Sequence, residues 1–322
     1  MLSRTADHLF WMARYMERAE NTARMLDVHY RAAMLMPSNE SAEQGWHGML
    51  SISELATPFA ARYDEVNESN VTDFMVRDEG NPSSILSCLR AARENARAVR
   101  GTLTTEVWET HNQTWLEFNR LVREGIAASD PGKFFEWVKY RSHLSRGVTV
   151  GTMLQDESVH FQRLGTFLER ADSTARLLDV KFHALTGGKD FFGPGKGKEA
   201  MEVDFYHWSA LLRSVSSFEI YRRVYRNVIR PEKVADLLIL RRDMPRSLVH
   251  CMTEVLANLH LVANAQSGET LRRAGRIHAD LEFARIDEIL ATGLHAYLSQ
   301  FLDRVGQLGV DIARDFLVPM EG

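Results

Sequence analysis

From residue 4 onward, apolar side chains recur at helical intervals. Over 4–36, Met12, Met16, Ala19, Ala23 and Leu26 fall three and four residues apart, which makes one side of a long helix apolar. Pro37-Ser38-Asn39 predicts its end. Helical periodicity resumes over about 44–66, where Pro58 is expected to kink or split the helix. A short apolar segment, Val71 to Val76, leads to a turn at Asp78-Glu79-Gly80-Asn81-Pro82. Helices are then predicted over 83–100 and from Thr105 to about Ala128. Asp130-Pro131-Gly132 breaks the chain before helical sequence from Phe134. The same pattern predicts helices at about 156–186, 203–229, 232–240, 245–264 and 279–316. Gly187-Gly188-Lys189-Asp190 should stop the first of these, and Phe191 to Lys198 reads as a glycine-rich loop. No strand alternation or hairpin signal interrupts the pattern, so the expected fold class is all-α.

Part of the first helix is written twice. Glu17-Arg18-Ala19-Glu20-Asn21-Thr22-Ala23-Arg24-Met25-Leu26-Asp27-Val28 returns as Glu169-Arg170-Ala171-Asp172-Ser173-Thr174-Ala175-Arg176-Leu177-Leu178-Asp179-Val180, with nine of twelve positions identical at an offset of 152. Fainter matches extend the repeat. Trp46, Leu50 and Tyr63 correspond to Trp208, Leu212 and Tyr225 at an offset of 162. Val71, Asp73, Pro82, Ser84 and Cys88 correspond to Val234, Asp236, Pro245, Ser247 and Cys251 at 163. The jump in offset is the glycine-rich insertion. The expectation is a duplicated multi-helix bundle, one continuous domain whose halves, 1–150 and 151–322, are related by a pseudo-twofold axis. The paired Pro-x-Ser positions should start equivalent helices, proline in the first turn and serine as cap.

Composition narrows the function classes. At 45% apolar and 25% charged, the chain is ordinary for a globular protein. A net charge of −4 gives no basic footprint for nucleic acid. Apolar runs fall far short of the ~18 residues of a membrane span. The charged first residues do not resemble a secretion signal, so the expected location is the cytoplasm. The two cysteines, Cys88 and Cys251, lack metal-ligand spacing and are expected to be buried apolar side chains.

The doubled block carries the candidate chemistry. On a helical wheel Glu17, Glu20, Arg24 and Asp27 line one flank of the apolar stripe, and Arg18 falls on the opposite flank. Glu169, Asp172, Arg176 and Asp179 repeat the flank, with Arg170 opposite. Glu20–Arg24 and Arg24–Asp27 have ion-pair spacing on one helix, worth about 0.2–0.5 kcal/mol each if solvated. Exposed pairs contribute too little to hold these residues in both copies while the halves diverge. Two readings, which do not exclude each other, therefore stand ahead of a solvated face: a buried ion network joining the repeats, and a ligand or catalytic site built from the same ten residues. His8 and His160 also correspond at 152 and lie in the apolar stripe, which favours hydrogen-bonded core histidines.

These motifs resemble the bacterial alpha-E domain family. The likeness rests on Leu2-Ser3-Arg4, Trp11 to Glu20, Phe161 to Asp172, Asn81-Pro82-Ser83-Ser84-Ile85, Ala92 to Arg97 and Trp108-Glu109, and covers essentially the whole chain. The resemblance implies an all-helical fold named for its Glu-Arg motif, which falls on Glu17-Arg18 and Glu169-Arg170. It also implies genes neighbouring or fused to circularly permuted ATP-grasp ligases, often with transglutaminase-like peptidases nearby. The expected role is therefore a non-ligase component of an amide or peptide biosynthesis or modification system, binding a peptide, amino-acid or carboxylate intermediate, or the ligase itself. An enzyme using Glu17 or Glu169 as acid–base groups with raised pKa is the alternative; a helical scaffold is another. No cofactor is implied, no catalytic residue can be assigned, and homo-oligomers are open. A di-metal carboxylate bundle would need two Glu-x-x-His motifs. Glu157–His160 fits, Thr5–His8 lacks the glutamate, and Asp204–His207 is a weak extra, so no metal is expected.

Overall fold

The structure is a computed structural model that describes residues 1–35, 39–186, 208–226 and 228–317. The glycine-rich stretch and Asp204–His207 lie outside these residues. Among the described residues every regular element is helical. The first half contains α1 (Ser3–Leu35), α2 (Asn39–Ile52), α3 (Ala56–Ala60), α4 (Glu68–Val76), α5 (Ile85–Ala98), α6 (Thr105–Arg123), α7 (Ile126–Ser129) and α8 (Pro131–Thr152). The second contains α9 (Glu157–Thr186), α10 (208–214), α11 (Phe218–Tyr225), α12 (Pro231–Ile239), α13 (Leu248–Leu261), α14 (Gly268–Glu282), α15 (Ile286–Thr292) and α16 (Leu294–Ile312). A π-helical turn, Ala313–Leu317, follows directly.

Several breaks differ from expectation. The chain leaves α2 at Ser53–Leu55, where Glu54 is left-handed (φ 55°), and not at Pro58. Pro58 sits in the first turn of α3, where its missing N–H has no helical acceptor to lose. Gly125 (φ 72°) divides the expected 105–128 helix. Gly293 (φ 104°) likewise divides the 279–316 helix, supplying a backbone angle that side chains disfavour. Ser84 and Ser247 do cap α5 and α13, accepting from the N–H groups of Ser87 and His250. Pro82 and Pro245 lie two residues before the caps, outside the helices. Helix α14 was not anticipated. Its apolar positions Leu271, Ala274, Ile277 and Leu281 are separated by arginines and preceded by Ser267-Gly268.

Helix α1 runs for 33 residues, about 50 Å, without an internal proline or glycine. It packs against α9, α5 and α8, while α9 also packs on α13 and α16. Its apolar stripe (Met16, Ala19, Ala23, Leu26) enters a first-half core with Trp46, Phe74, Phe118 and Phe134. Its start (Ala6, Leu9, Phe10, Met12) enters a larger core built from α9 and the second half. The two long helices approach closely at Gly165: a Cβ there would lie 2.2 Å from the Phe10 carbonyl oxygen. The position corresponding to Gly165 at the 152 offset is Ala13.

Candidate functional site

The doubled block faces itself across the α1–α9 contact. Phe10, Arg14, Glu17, Arg18 and Asn21 form the side of α1 against α9. That side is remote from the apolar stripe, so α1 is buried on two faces and the wheel's polar face is internal. This is why Arg18, expected apart from Glu17, belongs to the same contact.

The two Glu-Arg pairs are exchanged between the helices. Arg170 Nε and Nη2 donate to opposite oxygens of Glu17, each at 2.9 Å. Reciprocally, Arg18 Nε and Nη2 donate to Glu169 at 2.6 and 3.0 Å, and Arg14 Nε adds a bond of 2.8 Å. Paired donors of this kind match a carboxylate in geometry and in charge. Asn21 and Ser173, equivalent positions of the block, touch each other through Asn21 Nδ2 and Ser173 Oγ at 3.0 Å.

Other matched positions make matched contacts. His8 Nδ1–H donates to Asn95 Oδ1 at 2.7 Å, and His160 Nδ1–H to Asn258 Oδ1 at 2.9 Å. Each amide is oriented by its own donation to a backbone carbonyl, that of Ala91 or Glu254. The Tyr63 hydroxyl donates to Asp73, and that of Tyr225 to Asp236. Cys88 and Cys251 are fully buried beside the Glu169 and Glu17 pairs, and burial pushes both thiols up to about 12.

Beyond these matches the Glu17 side is more elaborate. Glu17 also accepts from Arg246 Nη1 at 3.0 Å and Arg146 Nη1 at 2.9 Å. Glu20, wholly buried, accepts from Arg24 Nε at 2.8 Å, Arg246 Nη2 at 2.7 Å, Arg146 Nη1 at 2.6 Å and Ser142 Oγ at 2.7 Å. Asp172, the counterpart of Glu20, is partly exposed and pairs with Arg176 at 2.8 Å. Asp27 and Asp179 do not pair with Arg24 and Arg176 as their spacing suggested. Asp27 accepts from Lys139 Nζ and Arg31 Nε, both at 2.7 Å, and Asp179 from His295 Nδ1 at 2.7 Å. Arg14, Ser142, Arg146 and Arg246 are not among the expected site residues; Arg14 lies inside the Trp11–Glu20 motif and Arg246 is the middle residue of a Pro-x-Ser match, whereas Ser142 and Arg146 stand in no recognised pattern.

The electrostatics reverse one expectation. Burial alone would raise the carboxyl of Glu17, but Arg170 and Arg246 outweigh it and bring it down to about 2. Glu20 is likewise held well below the usual range, against burial, by Arg246, Arg146 and Arg24. Glu169 is lowered against burial by Arg18 and Arg14. All three are therefore ionised near neutrality, so Glu17 and Glu169 hold no proton to donate and are weak bases. Glu157 meets the amino group of Met1 at 2.6 Å, and His160 is engaged by Asn258. Among the described residues no group of three or more His, Cys, Asp and Glu side chains is placed to hold a metal ion.

A cavity of about 190 Å³ adjoins the network between α1, α8 and α9. Arg146, Arg163, Arg170, Ser142, Ser145, His111 and Gln162 supply polar groups, and Met12, Met16, Val150, Val159 and Phe167 an apolar wall. His111 contacts Ser145 Oγ at 3.1 Å through Nε2, and burial, with Arg141, lowers it to about 4. A wider open groove of about 790 Å³ runs over α6 and α8, lined by Trp137, Tyr140, Leu144 and His143 among others.

Residues 1–317 match the Alpha-E family, described as a predicted alpha-helical domain with a conserved ER motif, and the chain belongs to that family. The chain carries two Glu-Arg dipeptides, Glu17-Arg18 and Glu169-Arg170, and these are the pairs exchanged between α1 and α9. A Mycobacterium bovis protein described as uncharacterized is 25% identical over 93% of this chain and 35% of its own length. One from Mycobacterium tuberculosis is 24% identical over the same shares. The chain thus spans about a third of the length of these curated relatives. No solved structure matches it.

Proposed function

We propose that this chain is the ligand-holding, non-ligase component of an ATP-grasp-linked system that makes or modifies amide bonds. In this reading two repeats pack about a pseudo-twofold axis, and the cavity between α1, α8 and α9 takes the carboxylate end of an amino acid or short peptide. The cavity carries the reading. Three arginines, Arg146, Arg163 and Arg170, line this partly apolar chamber; Arg146 and Arg170 also hold Glu17, and Arg163 meets no carboxylate closer than Glu254 at 4.0 Å. Its volume suits a ligand of about ten non-hydrogen atoms or fewer, since an apolar cavity of about 150 Å³ holds benzene. Guanidinium forks recognise carboxylates in two-point geometry. Support for a component role comes from the mycobacterial relatives, in which a segment like this is joined to more chain. Acid–base catalysis by Glu17 or Glu169 has their depressed carboxyls against it.

The test is calorimetric titration with free amino acids and di- and tripeptides, using C-terminal amides as controls, followed by turnover assays with the ATP-grasp ligase of the same genome. Binding should vanish on amidation and weaken at least tenfold in Val150→Trp, which crowds the mouth from an exposed position. Heats no larger than dilution across the panel, with ligase turnover indifferent to the protein, would refute the reading.

A further inference from the structure

The Glu17–Glu20 network is saturated in hydrogen bonds but not in charge. Two carboxylates, Glu17 and Glu20, face four guanidiniums, those of Arg24, Arg146, Arg170 and Arg246, leaving a surplus of two positive charges. An uncompensated charge in such a setting is costly. The surplus is concentrated where Arg24, His143 and Arg146 converge. Arg24 Nη2 lies 3.3 Å from His143 Nε2, and Arg146 Nη2 lies 2.6 Å from His143 Nδ1. A neutral imidazole has one acceptor nitrogen, so one of these contacts sets donor against donor. Protonating the ring would make both unfavourable.

The second copy shows what the first lacks. Arg176, the counterpart of Arg24, pairs through Nη1 with the carboxylate of Glu54. At the 162 offset, Glu54 corresponds to Ser216, and both residues are left-handed with φ 55°. Arg24 Nη1 donates to Ser216 Oγ at 2.5 Å, the equivalent contact with a hydroxyl where the other copy has an anion. Ser216 is exposed, and His143 also lines the open groove over α8, so this point can be reached from solvent.

We propose that Arg24, His143, Arg146 and Ser216 form a seat for a doubly charged tetrahedral oxyanion of the phosphate class. A phosphoryl group carries about −1.5 to −2 at neutral pH and offers three acceptor oxygens, which matches the surplus charge and the crowded donors. Bound there, it accepts from both guanidiniums, and the imidazole donates to it. The seat shares Arg146 with the carboxylate cavity, but Arg24, His143 and Ser216 are not among that cavity's lining residues, so substitutions at 143 and 216 test the seat alone.

The experiment compares inorganic phosphate, phenyl phosphate and chloride at matched ionic strength on the full chain, by thermal shift and calorimetry. Wild type should be stabilised by phosphate over chloride, and Ser216→Glu, which recreates the Glu54 arrangement, should melt higher than wild type and lose at least tenfold in phosphate affinity. His143→Ala, at an exposed position that makes no contact with Glu17, should also bind more weakly. Phenyl phosphate binding at least tenfold tighter than inorganic phosphate identifies a phosphorylated small molecule as occupant; equal affinity identifies the free oxyanion. Equal effects of phosphate and chloride, or unchanged phosphate binding in Ser216→Glu, would overturn the proposal. Either result would leave amino-acid binding in the cavity untouched, so the two readings fail separately.

Discussion

Around Glu17 three arginines from α8, α9 and the turn before α13 converge, with Glu20 and Ser142 drawn into the same network. Around Glu169 two arginines of α1 suffice, Arg14 lying over the Trp11 ring at 4.8 Å. The blocks are almost the same, so the difference comes from their neighbours. Arg246 stands where the first half has Ser83, and Ser216 where it has Glu54. One copy of the motif is a buried junction of many elements. The other is closer to a simple clasp between two helices. A short motif thus specifies which carboxylate meets which guanidinium across the contact, and more distant positions decide how much charge gathers around it.

The strongest way to break this comparison is to delete each carboxylate. Glu17→Ala leaves three guanidiniums around an empty space and should cost about 3–5 kcal/mol, the range for breaking a buried ion pair. Glu169→Ala should cost less, since Arg14 and Arg18 keep partial access to solvent. Urea unfolding of the two variants decides it; equal losses would show the two sides to be equivalent. Acid should then act on the networks in order. Burial holds His111 near 4, below its ordinary 6.5, so stability present above 6.5 is lost as the pH falls through 4. The stabilisation from Glu17 is complete above 4.5 and is lost as the pH falls toward 2. Circular dichroism along an acid titration should show stability falling from pH 6.5 downward in both proteins, with a smaller further loss below 4.5 for Glu17→Gln than for wild type, because position 17 then has nothing to titrate.

Gly165→Ala sharpens the comparison at the helix crossing. Its Cβ would press on the Phe10 carbonyl, and overpacking of this kind costs about 1–3 kcal/mol. Ala13→Gly, at the equivalent place on α1, should cost about 1 kcal/mol from helix propensity alone. Thermal melting of the pair tests whether the crossing is tight on one side only. The smallest effect belongs to Arg176→Ala, which removes partly exposed pairs to Asp172 and Glu54 and should cost about 0.3–1 kcal/mol. A loss above about 2 kcal/mol would place the second copy in the same class as the first.

The sequence was most legible where one local pattern repeats. The extent of α1 and α9, the serine caps of α5 and α13, the two hydrogen-bonded histidines and the Glu20–Arg24 pair all follow from spacing along a single helix. It was least legible where two spacings competed. Arg24 could reach either Glu20 or Asp27 on its own helix, and Lys139 on α8 takes Asp27 out of the choice. Glycine breaks at 125 and 293 were hidden inside continuous periodicity, because helices on both sides share it.

What the chain alone determines is the helical class, the repeated block and the charge types that block carries, because helix formation and amphipathic pattern are properties of neighbours along the chain. Only the tertiary structure turned the polar face of α1 inward, set Glu17 on Arg170 and Glu169 on Arg18, and brought Arg146 from a distant helix and Arg246 from a distant turn to the same carboxylates. The depressed carboxyls follow from that assembly. A carboxylate's proton affinity depends on the charges within a few ångströms of it, and those charges come from residues up to 229 positions away.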